Sequence, residues 1–136
     1  MANRDEAVAR YSALLGYETW RQDSFGPGDV ERMTLRGADA EYSMRLAFAG
    51  DAPEIELIEP VDGHSLYSEW LAERGEGLHH LAVIVDSLDD AIAAIEAAGY
   101  PNIQSGHGFA PNGQGGYAYF DTTHALGFIL EAVELP

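Results

Sequence analysis

The sequence contains no cysteine and no lysine. Without cysteine there are no disulfides, thiolate nucleophiles or cysteine-type zinc sites, so any metal ion must be bound by histidine and carboxylate side chains. All seven basic residues are arginines, they face 23 acidic residues, and the formal net charge is −16. Because nucleic acids and anionic membranes are bound through clustered lysine and arginine, this charge predicts that neither is a partner.

Long hydrophobic runs are absent too. No stretch approaches the roughly 18 apolar residues of a membrane-spanning helix, and the first residues lack the apolar core of a signal peptide. The chain has 136 residues, of which 46% are hydrophobic. These features predict a cytoplasmic protein with one globular domain.

The sequence does contain an internal repeat. Residues 5–17 resemble residues 89–100, about 84 positions later, and both segments begin with acidic residues and end at a glycine followed by a tyrosine. Acidic first turns and a terminal glycine are typical of short helices. A second pair of similar segments, 55–59 and 130–134, alternates apolar residues with glutamates at the end of each half. The chain is therefore predicted to contain two copies of one supersecondary unit.

Each copy is expected to be a βαβββ module, which gives an α+β fold whose two modules form a half-barrel cup. The first module spans residues 1–60, a connecting helix lies in 61–78, and the second module spans 79–136. Strands are predicted at residues 17–23, 30–36, 41–49, 54–59, 80–86, 100–104, 116–121 and 128–134, with a hairpin turn at 37–40.

The first module lacks its first strand. The second module opens with an apolar strand at residues 80–86, whereas only four residues precede Asp5. The repeat offset places the counterpart of His80 before Met1. Three explanations are open: a start codon assigned too late, a partner subunit that supplies the strand, or a protein without metal chemistry.

Two carboxylates and one histidine are candidate metal ligands. Strand alternation places Glu131 in an apolar row with Ile129 and Val133, where a charge needs a partner. Either a metal ion or a strand edge reached by water or an arginine would meet that need. Glu56 is the repeat partner of Glu131, and His80 could be a third ligand or a hydrogen-bonded core histidine.

The segments 77–86 and 127–131 resemble the second βαβββ module of the vicinal oxygen chelate superfamily. This superfamily includes glyoxalase I, methylmalonyl-CoA epimerase, extradiol dioxygenases and bleomycin-resistance proteins. The resemblance implies that Glu56, His80 and Glu131 bind a divalent ion such as Mn²⁺, Co²⁺, Ni²⁺, Fe²⁺ or Zn²⁺. The fourth ligand of the family, on the first strand, has no match in this sequence, so the ion could be absent.

Four further residues are predicted to contact substrate. Arg45 would suit a substrate carboxylate if it faced the cavity, and His107 lies in a glycine-rich segment, 105–116, that we interpret as a mobile loop near the mouth of the cavity. Trp20 and Tyr119 could line the cavity or could be plain core residues.

Three functions remain open, and for all of them a small-molecule ligand and a homodimer are expected. The first is a metal-dependent lyase or isomerase that abstracts a proton next to a metal-bound carbonyl, with Glu131 or a second carboxylate as the base. The second is a non-catalytic binding protein similar to the drug-resistance members of the family. The third is an extradiol-type dioxygenase, which needs two histidines and one carboxylate on Fe²⁺. Only His80 is a candidate, because alternation should turn His79 to the opposite face.

Overall fold

A computed structural model, which describes residues 1–136, contains four helices and nine strands in open sheets. In chain order they are α1 (Arg4–Leu15), β1 (Arg21–Phe25), β2 (Val30–Leu35), β3 (Ala38–Asp39), β4 (Ser43–Gly50), β5 (Glu54–Asp62), α2 (Leu66–Arg74), β6 (His80–Ile84), α3 (Leu88–Ala97), β7 (Asn102–Phe109), β8 (Gln114–Phe120), α4 (Thr123–Leu126) and β9 (Ile129–Glu134). The predicted α+β class is confirmed. None of the helices is both long and apolar enough to cross a membrane.

The chain divides into two units. Unit 1 comprises residues 1–26 and 42–77, and unit 2 comprises residues 27–41 and 78–136.

Unit 1 is an antiparallel sheet of order β1-β4-β5 with α1 on one face. The helix begins where the Asn3 side chain accepts a hydrogen bond from the Glu6 N–H, and it ends at Gly16, whose positive φ permits the left-handed C-cap. Ala7 of the helix packs against Ala47 and Leu57 of the sheet.

Unit 2 has a sheet of order β3-β2-β7-β8-β9-β6. From β6 onward it is the predicted βαβββ module, in which β6 pairs in parallel with β9. Such a parallel pair needs a crossover connection, and the elements between the two strands, including α3, provide it. Leu88 of α3 packs on Ala118, Phe120 and Ala132.

The sequence repeat extends to individual hydrogen bonds. In unit 2 the Val85 N–H donates to the Val133 carbonyl, and the Leu88 N–H donates to Glu134 Oε2 over 2.7 Å. At the equivalent positions of unit 1, the Met1 ammonium donates to the Ile58 carbonyl and the Arg4 N–H donates to Glu59 Oε2 over 2.6 Å. In both units a glutamate on the last strand thus binds the first turn of a helix.

Residues 27–41, which we placed in the first module, form a hairpin on the sheet of unit 2. β2 pairs with β7 so that Thr34 lies opposite Ser105, and their hydroxyl oxygens are 2.5 Å apart. The turn of this hairpin is at Arg36 and Gly37, both with positive φ. It begins one residue before the predicted turn 37–40, and residues 38 and 39 of that turn form β3 instead. Pairing between residues so distant along the chain leaves no local signal in the sequence.

The glycine-rich segment 105–116 is not a mobile loop, so that prediction is wrong. Its two ends belong to β7 and β8, and only residues 110–113 connect the strands. Gly106 lies under the ring of Tyr117, where a Cβ atom would be 2.4 Å from Tyr117 Cε1. Here glycine permits close packing within a sheet rather than a flexible connection.

Candidate metal centre

The central feature of unit 2 is a buried pair formed by His80 and Glu131. Their side chains are only 9% and 7% exposed, and His80 Nε2 lies 3.3 Å from Glu131 Oε2. The parallel register of β6 with β9 brings the two residues to the same face of the sheet. β9 lies between β8 and β6, so the alternative of a carboxylate at a strand edge is wrong.

His79 lies beside this pair. Its Nδ1 is 3.0 Å from His80 Nδ1, which requires one of the two nitrogens to donate and the other to accept. The expectation that His79 turns away from His80 is wrong, because β6 begins only at His80 and strand alternation does not extend to the preceding residue. The contact orients the His80 imidazole from the side opposite to Glu131.

Tyr119 completes the cluster. It pairs with Glu131 across β8 and β9, is 2% exposed, and its ring lies edge-on to His80 and His79 at centroid distances of 5.1 and 6.0 Å. Tyr117 continues the aromatic row at 5.9 Å from Tyr119. The buried histidine and carboxylate therefore have aromatic side chains on one side.

Glu56 belongs to unit 1. It lies on β5 opposite Phe48 of β4, on the sheet face that α1 does not cover, and it is half-buried. The neighbouring Leu57 faces α1 instead. Glu56 thus occupies in unit 1 the repeat position that Glu131 occupies in unit 2.

Arg45 lies on the opposite face of the unit 1 sheet from Glu56. Its guanidinium binds Asp5 at 2.8 Å and Glu59 at 3.2 Å. Hydrogen bonds from Arg45 and then Arg4 lower the pKa of the Asp5 carboxyl, and the bond to Asp5 raises the pKa of Arg45. Arg45 therefore anchors α1 to its sheet and is not placed to bind a ligand on the Glu56 face.

Trp20 and His107 also lie away from the candidate ligands of their own units. The Trp20 indole donates to Ser12 Oγ over 2.8 Å and packs beside Ala47, in the cluster between α1 and the sheet. His107 contacts Ser105 Oγ at 3.1 Å, and Ser105 pairs with Ala118, which faces α3. Of the four predicted substrate contacts, only Tyr119 shares a sheet face with a candidate ligand.

Arg21 is a residue that the sequence did not single out. It pairs with Phe48 across β1 and β4, on the Glu56 face, and its Cζ lies 4.2 Å from the centroid of the Phe48 ring. Alternation within the predicted strand 17–23 could not assign it to either face, because the pairing partner was unknown.

The donor atoms of the buried pair suit a divalent ion. Imidazole nitrogen and carboxylate oxygen together are ligands that Mn²⁺, Fe²⁺, Co²⁺, Ni²⁺ and Zn²⁺ accept. A buried carboxylate needs a positive charge or a hydrogen-bond donor beside it. A bound metal ion would supply the charge, and a protonated His80 would supply both.

Comparison with known proteins agrees with this fold. Residues 1–120 match the profile of the glyoxalase/bleomycin resistance protein/dioxygenase superfamily. The chain belongs to this superfamily, which is the vicinal oxygen chelate family that the sequence resembled. No curated protein matches it at a significant level of sequence similarity.

Solved structures share the architecture at low sequence identity. A methylmalonyl-CoA epimerase from Mycobacterium tuberculosis is 23% identical with a TM-score of 0.69 over 100% of this chain and 83% of its own. A hypothetical protein from Bacillus halodurans is 22% identical with a TM-score of 0.65 over 100% of this chain and 88% of its own. A Streptomyces coelicolor methylmalonyl-CoA epimerase variant in complex with 2-nitronate-propionyl-CoA is 21% identical, with a TM-score of 0.57 over 97% of this chain and 89% of its own. These similarities concern the fold.

Proposed function

We propose that the protein is a metal-dependent lyase or isomerase that removes a proton next to the carbonyl of a small acid. The divalent ion would be held by Glu56, His80 and Glu131. The observation that carries the proposal is the buried His80–Glu131 pair, with ligand atoms 3.3 Å apart.

The repeat supports Glu56 as the third ligand. Glu131 and Glu56 occupy equivalent positions on the last strands of their units, and each lies on the sheet face opposite the first helix of its module, α3 or α1. Members of this superfamily typically use a divalent metal ion. One nitrogen and two oxygens would leave coordination positions for substrate.

A divalent ion bound there would polarise a substrate carbonyl and acidify the neighbouring C–H group. Glu131 is the proposed base, because a carboxylate has two oxygens and one of them can take the proton. The contact of His80 Nδ1 with His79 holds the His80 ring in place, so that its other nitrogen, Nε2, can bind the ion. The burial of the pair limits access of water, which strengthens electrostatic effects near the carboxylate.

The charge of the chain favours a small substrate. A CoA ester carries several phosphate charges, whereas the protein has seven arginines, no lysine and no basic residue after Arg74. We therefore propose an oxo or hydroxy acid or an aromatic compound, although two of the three solved structures described above are named as methylmalonyl-CoA epimerases. A cytoplasmic homodimer remains the prediction for location and assembly.

Proton abstraction can be measured directly by exchange. Pyruvate and 2-oxobutyrate in D₂O, with protein and Mn²⁺, Co²⁺ or Ni²⁺, should lose their C3 proton signals in NMR spectra faster than with the metal alone. Glu131→Gln should slow the exchange about 100-fold or more, because an amide cannot accept the proton. Exchange that is equal with and without protein for all three metals would contradict the proposal for these acids.

A non-catalytic binding protein is the second candidate. The observation in its favour is the aromatic row of Tyr117, Tyr119 and His79, which suits an aromatic ligand. If the protein only binds a ligand, His80→Ala should leave ligand affinity nearly unchanged. If it is the metal-dependent enzyme, the same substitution should abolish metal binding and activity together. An extradiol-type dioxygenase would need His79 as a second histidine ligand beside His80.

A further inference from the structure

One row of residues crosses the face of the unit 1 sheet opposite α1. Arg21 of β1 lies opposite Phe48 of β4, and Phe48 lies opposite Glu56 of β5. Paired residues of neighbouring strands point to the same face. The three side chains thus form a line with a cation at one end, an apolar ring in the middle and a proposed metal ligand at the other end.

Three other arginines of unit 1 bind carboxylates, whereas Arg21 contacts an aromatic ring. Arg4 binds Asp5, Arg45 binds Asp5 and Glu59, and Arg10 binds Glu76. The Arg21 guanidinium instead stacks on the Phe48 ring at 4.2 Å, and the residue is exposed. A stacked guanidinium keeps its N–H groups available for bidentate binding of a carboxylate while the ring limits its motion.

The distance between Arg21 and Glu56 indicates the length of a ligand that could contact both ends of the row. Neighbouring strands lie roughly 4.8 Å apart, so Arg21 and Glu56 are separated by about 10 Å at the backbone. A small acid that binds the ion near Glu56 through its carbonyl end could cross the Phe48 ring and place a second carboxylate at Arg21. A single arginine in a chain of net charge −16 suits one carboxylate better than a polyphosphate.

We propose that Arg21, supported by the Phe48 ring, binds a distal carboxylate of the substrate, which makes the substrate a small dicarboxylic oxo or hydroxy acid. This inference rests on the proposed function, because the other end of the substrate is placed at the metal ion. Arg21 acts in it as a specificity-determining residue and takes no part in proton transfer.

Two probes of equal carbon number test the inference: 2-oxoglutarate, which has the distal carboxylate, and 2-oxopentanoate, which lacks it. Titration calorimetry with Co²⁺-loaded protein should show that 2-oxoglutarate binds about 10-fold tighter or more, as expected for a charge-assisted hydrogen bond. Arg21→Gln should abolish this preference while leaving Co²⁺ affinity and 2-oxopentanoate affinity unchanged. Phe48→Leu should reduce the preference partly.

The matched control is Arg10→Gln, since Arg10 is another exposed arginine of unit 1 but pairs with Glu76. It should retain the full preference for 2-oxoglutarate. Equal affinity of the Co²⁺-loaded wild type for both probes, or a preference that survives Arg21→Gln, would overturn the inference and leave the proposed metal function intact. Failure of the wild type to bind Co²⁺ would overturn both.

Discussion

Gly106 offers a sharp test of the packing in unit 2. A Cβ atom at this position would lie 2.4 Å from Cε1 and 2.6 Å from Cζ of Tyr117. Tyr117 is 7% exposed and its ring lies between Tyr119 at 5.9 Å and Phe109 at 6.3 Å, so it has little room to move away. Overpacking of this kind costs about 1–3 kcal/mol. Gly106→Ala should therefore lower the melting temperature by about 4–12 °C for a domain of this size.

The assay is thermal unfolding followed by circular dichroism, with urea unfolding for the free energies and Gly77→Ala as the matched control. Neither glycine has a positive φ, and nothing lies within 4 Å of a Cβ atom at Gly77, so alanine there should be neutral or slightly stabilising. In a double-mutant cycle, Tyr117→Ala should remove most of the cost of Gly106→Ala. A neutral Gly106→Ala variant, or a cost that persists without the Tyr117 ring, would refute the close approach.

Three further predictions concern the repeat and pH. Glu134→Ala and Glu59→Ala should each destabilise by about 1 kcal/mol or more in urea, because each carboxylate binds the first N–H of a helix and Glu59 also pairs with Arg45; a loss near zero for either variant would contradict this role. Because hydrogen bonds from Arg45 and Arg4 lower the pKa of Asp5 below 3.8, its contribution to stability is present above that pH and lost as pH falls through the lower folded value. Asp5→Asn should thus lower the urea midpoint near neutral pH and flatten its fall at acid pH, and an unchanged profile would contradict this. The Met1 bond to the Ile58 carbonyl corresponds to the Val85 bond to the Val133 carbonyl, which comes directly after β6. An N-terminal extension that copies residues 78–84 should therefore pair with β5 as β6 pairs with β9 and raise the free energy of unfolding by about 2 kcal/mol; an unchanged melting temperature would argue against it.

Local sequence signals predicted most of the helices and strands. The apolar alternation of residues 80–86 and the acidic start and glycine end of the first helix are encoded by neighbouring residues, and β6 and α1 lie close to those positions. The pairing of residues 27–41 with β7 was not predicted, because it depends on residues about 70 positions away. Glycines in β7 and β8 were interpreted as flexible because their ring and backbone neighbours are visible only in the fold.

The candidate site was predictable in part. Alternation and the repeat singled out Glu131 and His80, and the structure brings them within 3.3 Å in unit 2. The side chain of His79 could not be placed, because the strand begins one residue after it. The faces of Arg45 and Arg21 are set by the pairing of β1 with β4 and of β4 with β5, which a single sequence does not show.

Metal binding by the whole chain tests the central claim most directly. Protein purified without chelators should bind one Co²⁺ or Ni²⁺ ion per chain in a calorimetric titration. His80→Ala and Glu131→Ala should each weaken that binding by about 100-fold or more, while Arg45→Gln, on the other face of the unit 1 sheet from Glu56, should leave it unchanged. Absence of saturable binding in the wild type, or equal binding by the His80 and Glu131 variants, would contradict the proposed metal centre.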